Sequence, residues 1–345
     1  MLDRLMQHGI GVGGKVIPVI KTKMKRPYKN GFVSKLLNYG NPTDPKIYDE
    51  KDDAVIFLEE TGSQNYYLRK YSYYGELIAS YNITPNATYN MDLAFSDGHY
   101  YAFKQATTGQ SSEVKRFDKN LNYVDSLYPS DVGKTEFFNR FIWNDGDICS
   151  FRYFNDVYLI DLSAFDIILQ YSVITSTHQS NHVVVFDEDL NTYSFNDKIF
   201  KYDQSGNYLK YANISSSAHA DYSKNKQKIY SLTKDGNITE IDKELNIIKS
   251  FTVPNSVFLS TNTAKSAGRI FLAKDYIIIA SASNIVGVNY DLTEVLWNLS
   301  FSERQLGASA HGMYLNKKTD SIVINEFNST NKVFDFSILE NNIFL

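Results

Sequence analysis

Histidine is the one residue type in this chain whose placement suggests chemistry. His219, in Ala218-His-Ala-Asp221, and His311, in Ala310-His-Gly-Met313, occupy matching places at the start of short apolar stretches, with Asn90-Met-Asp92 and His182 similarly set. Imidazole changes charge near neutral pH, so two such rings brought to one cavity would suit a general base or a metal ligand. His178 and His182 stand four apart, which on a helix places both rings on one face. Their Ser, Thr and Val neighbours instead predict loop and strand, and no carboxylate pattern completes a site, so no metal site is assigned.

Other chemistries are narrowed further. Cys149 is the only cysteine, which excludes an intrachain disulfide, and Asp147-Ile-Cys-Ser-Phe151 reads as a strand holding a buried thiol. Gly9-Ile-Gly-Val-Gly-Gly-Lys15 fits the spacing of both a dinucleotide fingerprint and a phosphate loop. Either motif needs a preceding strand and a following helix, so that N–H groups converge on phosphate. Only eight residues precede Gly9, Val16 replaces the Ser or Thr that would reach magnesium, and Pro18 opposes a helix, so a flexible arm is expected and no cofactor is assigned.

The elements that would position the histidines emerge from a repeat. Lys198-Ile-Phe-Lys-Tyr-Asp-Gln-Ser-Gly-Asn-Tyr-Leu-Lys-Tyr-Ala-Asn-Ile214 and Asn237-Ile-Thr-Glu-Ile-Asp-Lys-Glu-Leu-Asn-Ile-Ile-Lys-Ser-Phe-Thr-Val253 are the same phrase: strand, Asp-led polar turn, strand. Related copies place the turn-opening residue at Ser72, Asp118, Asp161, Asp203, Asp242, Asn289 and Asp335, with spacings of 46, 43, 42, 39, 47 and 46. Asp, Asn and Ser recur because their side chains accept backbone N–H bonds inside a turn. Seven copies at this period match four-stranded propeller blades.

Two further strands are expected upstream of each hairpin. Blade 1 offers Ala54–Glu60, Tyr66–Ser72 and Glu76–Ile83; blade 5, His219–Tyr222 and Gln227–Thr233; blade 6, Arg269–Ala273 and Tyr276–Ser281; blade 7, Met313–Asn316 and Ser321–Phe327. Val183-Val-Val-Phe186 and Tyr276-Ile-Ile-Ile-Ala280 are apolar on both faces, as strands sandwiched between neighbouring sheets must be. Aromatic residues make up 14% of the chain, enough bulk to fill the space between blades. The fold expected is all-β, a seven-bladed β-propeller over 47–345 with an extended N-terminal arm over 1–46. A missing strand in the first or last blade would come from the other terminus, and the apolar Ile343-Phe-Leu345 predicts a paired C-terminus.

Ala310-His-Gly-Met-Tyr314 and Gly236-Asn-Ile-Thr-Glu-Ile-Asp-Lys-Glu-Leu-Asn246 resemble blade signatures of the NHL, YVTN and arylsulfotransferase-type propellers. The last of these resemblances implies channel histidines working with arginine, which would nominate His219 and His311. No arginine stands at the matching position of their blades, and Arg269 and Arg304 read as loop residues. Capping of the inner strands is therefore the expected role.

Charge divides the chain sharply. Residues 1–46 hold nine Lys and Arg against Asp3 and Asp44, a net +7, so the remainder carries −11. The segment is punctuated by Gly and Pro and cannot build a core. Its docking residues are expected to be Lys15, Val16, Ile17, Val19, Ile20, Lys21, Lys23, Lys25, Arg26, Phe32, Leu36 and Leu37, which offer short apolar anchors among cations to a partner; the alternative is an arm that wraps its own propeller, held by opposite charge. Nucleic acid is disfavoured as the partner, because the acidic body repels phosphate.

No apolar run approaches the roughly 20 residues of a membrane span, and Met1–Ile20 lacks the continuous apolar stretch of a signal peptide. Six Asn-x-Ser/Thr sequons carry no weight without one. Exposed Tyr, Asn and Ser suit adaptable contacts with protein or glycan. The expected function is non-enzymatic: a structural or host-attachment component of a bacteriophage tail, virion or similar assembly, found in the particle or in the cytoplasm of an infected bacterium. The resemblance of organisation to a phage structural protein rests on the arm and the composition. A propeller enzyme of the sulfotransferase or lyase type, or a protein- or glycan-binding scaffold, is the alternative.

Overall fold

In a computed structural model of the chain, the described residues are 24–25, 46–49, 52, 54–60, 66–72, 76–83, 91–104, 113–128, 143–153, 156–173, 183–195, 198–214, 217–233, 235–255, 269–273, 275–280, 284–300, 313–316, 321–328 and 333–340. No helix occurs among them. They form seven four-stranded antiparallel sheets in a β-propeller arrangement.

The chain opens with β1 (Met24–Lys25). Sheet 1 is β2 (Lys46–Asp49), β3 (Ala54–Glu60), β4 (Tyr66–Ser72) and β5 (Leu77–Asn82). Sheet 2 is β6 (Met91–Ser96), β7 (His99–Lys104), β8 (Glu113–Phe117) and β9 (Tyr123–Leu127). Sheet 3 follows with β10 (Trp143–Asp145), β11 (Ile148–Tyr153), β12 (Asp156–Asp161) and β13 (Asp166–Ser172). Sheet 4 is β14 (Val184–Phe186), β15 (Thr192–Phe195), β16 (Lys198–Tyr202) and β17 (Tyr208–Asn213). Sheet 5 comprises β18 (Ser217–Ser223), β19 (Lys228–Thr233), β20 (Asn237–Asp242) and β21 (Ile247–Thr252). Sheet 6 has β22 (Arg269–Leu272), β23 (Tyr276–Ala280), β24 (Asn284–Asn289) and β25 (Val295–Ser300), and β26 (Met313–Asn316), β27 (Ser321–Asn328) and β28 (Val333–Glu340) belong to sheet 7.

Innermost strands approach one another, β14 against β18, β18 against β22, and β2 against both β6 and β26, so the first sheet touches the last, while in sheet 3 it is the second strand, β11, that approaches β14. Between sheets the space is filled by side chains from both. Leu232, Tyr230 and Ile238 of sheet 5 pack on Ile277, Ile279 and Val286 of sheet 6. Sheets 2 and 3 share Tyr101, Phe103, Tyr158 and Ile160, and the lone Cys149 is buried among them. Strands such as β23, buried at every position, read as unbroken apolar runs because both their faces are covered.

The repeated turns show why their sequence recurs. In Asp118-Lys-Asn-Leu-Asn122 the Asp118 carboxylate accepts from the backbone N–H of Asn120 and of Asn122 and from the Asn122 amide. Asp203 and Asp242 repeat the arrangement with Asn207 and Asn246. The fourth turn residue takes a positive φ, 62° at Leu121, 61° at Leu245 and 53° at Leu292. That conformation is uncomfortable for leucine, but each of these side chains is buried in an inter-sheet cluster, which offsets the strain. Asp187-Glu-Asp-Leu-Asn191 is an additional copy between β14 and β15, inside sheet 4, where the 43-residue rhythm gave no reason to look.

Just after six of these turns the register slips by one residue. Tyr71 pairs with Leu77 and Lys70 with Ala79, so Ile78 is an extra residue in the outer strand. The same bulge leaves Val124, Ile168, Leu209, Ile248 and Leu296 extra in their strands. At the last of these bulges Gly287 faces Trp297 so closely that a Cβ there would collide with the indole, which explains the glycine.

Sheet 7 departs from expectation. Asp335 opens no turn; β28 runs straight from Val333 to Glu340 and pairs with β27 along its whole length. Met24 and Lys25 take the outer place beside β28, pairing with Leu339 and Ile338. Lys25, assigned to the docking arm, is thus part of a sheet. The expected pairing of residues 343–345 lies outside the described residues.

Candidate functional site

β18 and β22 bring His219 to the inner wall between sheets 5 and 6. The imidazole is buried, and the Arg269 guanidinium donates to its Nε2 at 3.0 Å. Arginine donates only, so Nε2 accepts, and the backbone N–H of Ile270 points at Nδ1 from 3.5 Å. The ring stands 6.2 Å from that of Phe271. Arg269 is the first residue of β22, where the strand expected over Arg269–Ala273 begins. The pairing crosses 50 positions, a separation that no local pattern reveals.

Asp221, two residues on and buried, accepts from the backbone N–H of Tyr222 at 2.9 Å and of Leu272 at 3.1 Å. His219 and Asp221 therefore both reach from β18 to β22 and tie sheet 5 to sheet 6. A general base needs a lone pair facing its substrate, and the Nε2 lone pair of His219 faces Arg269.

His311, His178, His182 and Asn90 lie outside the described residues, as do Lys15, Val16, Ile17, Val19, Ile20, Lys21, Lys23, Arg26, Phe32, Leu36, Leu37 and the Gly9–Lys15 motif. Among the described residues no three His, Cys, Asp or Glu side chains gather in a metal-binding group, and no helix is long and apolar enough to cross a membrane.

Two polar clusters at the turn-bearing end of the propeller were not foreseen. The Lys70 ammonium, almost wholly buried, donates to Asp52 at 2.6 Å and to the Lys119 carbonyl of sheet 2 at 2.8 Å, and lies 3.9 Å from Asp49. Tyr100 donates its hydroxyl to Asp49, and burial followed by that bond pushes the phenol far above its ordinary range. Between sheets 4 and 5, Lys243 lies 2.5 Å from Glu188, 3.5 Å from Asp189 and 3.9 Å from Asp187. Burial works against ionising Glu188, but hydrogen bonds from Lys243 and Tyr222 outweigh it and bring the carboxyl from the usual 4.5 down to about 2.

Lys201 repeats the Lys70 arrangement three sheets further on. It stands two residues before its turn anchor, is buried, and donates to the Lys243 carbonyl at 2.9 Å. Each of these lysines latches its own sheet to the turn of the next. The signal was present in the sequence as a basic residue two before Ser72 and Asp203, but a charge in a strand reads as solvated until the neighbouring sheet is in place.

The outer strands are different in kind. After the turns, Leu77–Ile78, Tyr123–Val124, Tyr208–Leu209 and Ile247–Ile248 are pairs of adjacent residues that are all 41% exposed or more. In a regular strand adjacent residues face opposite ways, and the bulge suspends that rule. No family model matches the chain and no curated protein matches it in sequence, so its likeness to NHL, YVTN and arylsulfotransferase-type propellers rests on the blade phrases alone.

Proposed function

We propose that this chain is a non-enzymatic component of a large assembly, a tail or other structural or host-attachment part of a bacteriophage particle or a comparable structure, held by residues 1–46 and displaying the propeller as a platform. The observation that carries the reading is the commitment of the inner-wall polar groups. His219 accepts from Arg269 and Asp221 accepts from the backbone of β22, so both act as joints between sheets. The exposed apolar pairs on the perimeter support a surface made for contact. The division of charge between a +7 segment and a −11 body supports a segment that seeks an acidic partner.

The test is to size the purified full chain alone and after addition to a lysate of its source, identifying any particle it enters by mass spectrometry. Recovery in one defined particle supports the reading. Recovery only as a free protein, together with a turnover found in the purified chain, overturns it.

A second reading, an enzyme of the sulfotransferase or lyase type, is favoured by one observation, the arginine beside His219. His219→Gln separates the two. Loss of a measurable turnover with the fold retained would establish the enzyme, whereas a joint predicts a lowered melting temperature and nothing else.

A further inference from the structure

The exposed apolar pairs lie beside carboxylates. Each bulged outer strand follows a turn that contributes at least one: Glu76, Asp118, Asp166, Asp203, Asp242 and Glu294 across the six sheets, with only Lys119 and Lys243 as cations in those turns. At Asp203 the Asn207 amide and the backbone N–H groups hold the carboxyl below its usual range. In four of the six sheets, sheets 1, 2, 4 and 5, an anionic turn is thus followed by an exposed apolar pair.

The bulges also decide how such a perimeter can be touched. An extra residue interrupts the hydrogen-bonding rhythm of the strand and blunts it as a template for strand addition. β28 carries no bulge, and among the described residues it is the one such edge that holds a strand from elsewhere, β1. Contacts with the six bulged strands are therefore through side chains.

One stretch of the chain has the complementary pattern. Lys15-Val-Ile-Pro-Val-Ile-Lys-Thr-Lys-Met-Lys-Arg26 sets two aliphatic pairs, Val16–Ile17 and Val19–Ile20, among cations. Its Met24 and Lys25 already sit on the perimeter, at the outer edge of sheet 7. From that tether the stretch back to Lys15 reaches about 30 Å at full extension. Sheet 1 touches both sheet 2 and sheet 7, so counted from the tether on sheet 7 sheet 4 lies across the ring and sheet 5 two sheets away. Their exposed apolar pairs, Tyr208–Leu209 and Ile247–Ile248, remain open to another molecule.

We infer that the rim of sheets 4 and 5 binds the Lys15–Lys23 stretch of a second copy of this chain, aliphatic pair on exposed apolar pair and lysine beside Asp203 and Asp242. The contact is heterologous: arm of one copy, rim of the next. Such contacts build rings or open filaments rather than closed pairs. The inference rests on the assembly reading above and names one partner within it. Its electrostatic part weakens with added salt while its apolar part persists.

The test uses the full chain in three forms, wild type, a rim variant (Leu209→Asn with Ile248→Asn) and an arm variant (Ile17→Asn with Ile20→Asn), each checked for unchanged near-ultraviolet circular dichroism and melting temperature. In sedimentation velocity the wild type grows with concentration beyond a dimer. Each variant alone is weakened by on the order of tenfold or more and sediments as a monomer. An equimolar mixture of the two variants forms a one-to-one dimer and nothing larger, because only one intact arm meets one intact rim. A wild type that stays monomeric, variants that associate like the wild type, or a mixture that forms no dimer would each overturn the inference. A monomeric chain that still enters a particle in lysate sinks this contact and leaves the assembly reading standing; self-association without entry does the reverse.

Discussion

Within one sheet the second and fourth strands obey opposite rules. In sheet 5, β19 is buried at five of its six positions, whereas β21 alternates between exposed and half-buried and begins with two exposed isoleucines. The two strands are similarly apolar in sequence, and what separates them is the number of neighbours: β19 lies between sheets 4 and 6, while β21 faces solvent. Apolar residues in the inner strands hold the sheets together. In the outer strands they contribute little to the fold and are available for contact. Stability and surface character are thus radially separated, and substitutions should sort by distance from the axis.

The largest effect is expected where two sheets meet. Ile279, fully buried, packs on the Tyr230 and Leu232 cluster of sheet 5. Ile279→Ala leaves a cavity that the surrounding sheets close only in part, a loss of about 4 kcal/mol. Thermal unfolding followed by circular dichroism should show the largest drop of any substitution considered. A shift no greater than that of an outer-strand variant would break the radial picture.

Next is a latch between sheets. Lys70→Met removes the buried cation and leaves Asp49 facing Tyr100 without it, costing about 3 kcal/mol because an uncompensated buried carboxylate is worse than either the pair or its apolar replacement. Combining it with Asp49→Asn should recover part of the loss, which a purely steric effect of methionine would not allow.

The turns come third. Asp242→Ala removes the hydrogen bonds from the backbone N–H and the amide of Asn246, for about 1 kcal/mol. Burial works against ionising Asp242, but the Asn246 donors outweigh it, so its folded value lies below the usual carboxylate range. Its contribution is therefore complete above the unfolded value near pH 4 and is lost as pH falls through the folded value. The Asp242→Ala chain should lose less stability than the wild type between about pH 4 and pH 2, and identical acid curves for the two would remove the turn carboxylate from the account.

These turns were also the most legible part of the fold. An Asp or Asn that accepts N–H bonds from the next few residues acts locally, so Asp118, Asp203, Asp242 and Asn289 announce their turns without help from the rest of the chain. Asp335 failed as an anchor because the turn also needs a chain that folds back, and β28 instead continues to Glu340 with Met24–Lys25 beside it. His219 was legible as an inner-strand residue, since short apolar strands at fixed spacing locate the wall. Its partner Arg269 was not, because the pairing depends on which sheet lies next in space. The bulges were hidden for a related reason: Ile247-Ile248 reads as an ordinary apolar pair, and only the register of β20 against β21 shows that Ile248 is extra.

The smallest stability effect is expected at that same residue, which makes it the sharpest test of the radial separation. Ile248 is as large and as apolar as Ile279, so a residue-based view of hydrophobicity predicts similar losses. But its side chain is 48% exposed and it has no partner in the register, so Ile248→Asn gives up little buried area and breaks no ladder bond. The folded chain should stay within about 0.5 kcal/mol of the wild type. If the two isoleucines cost comparable amounts, the outer strands belong to the core after all, and their exposed pairs hold up the fold instead of waiting for a partner.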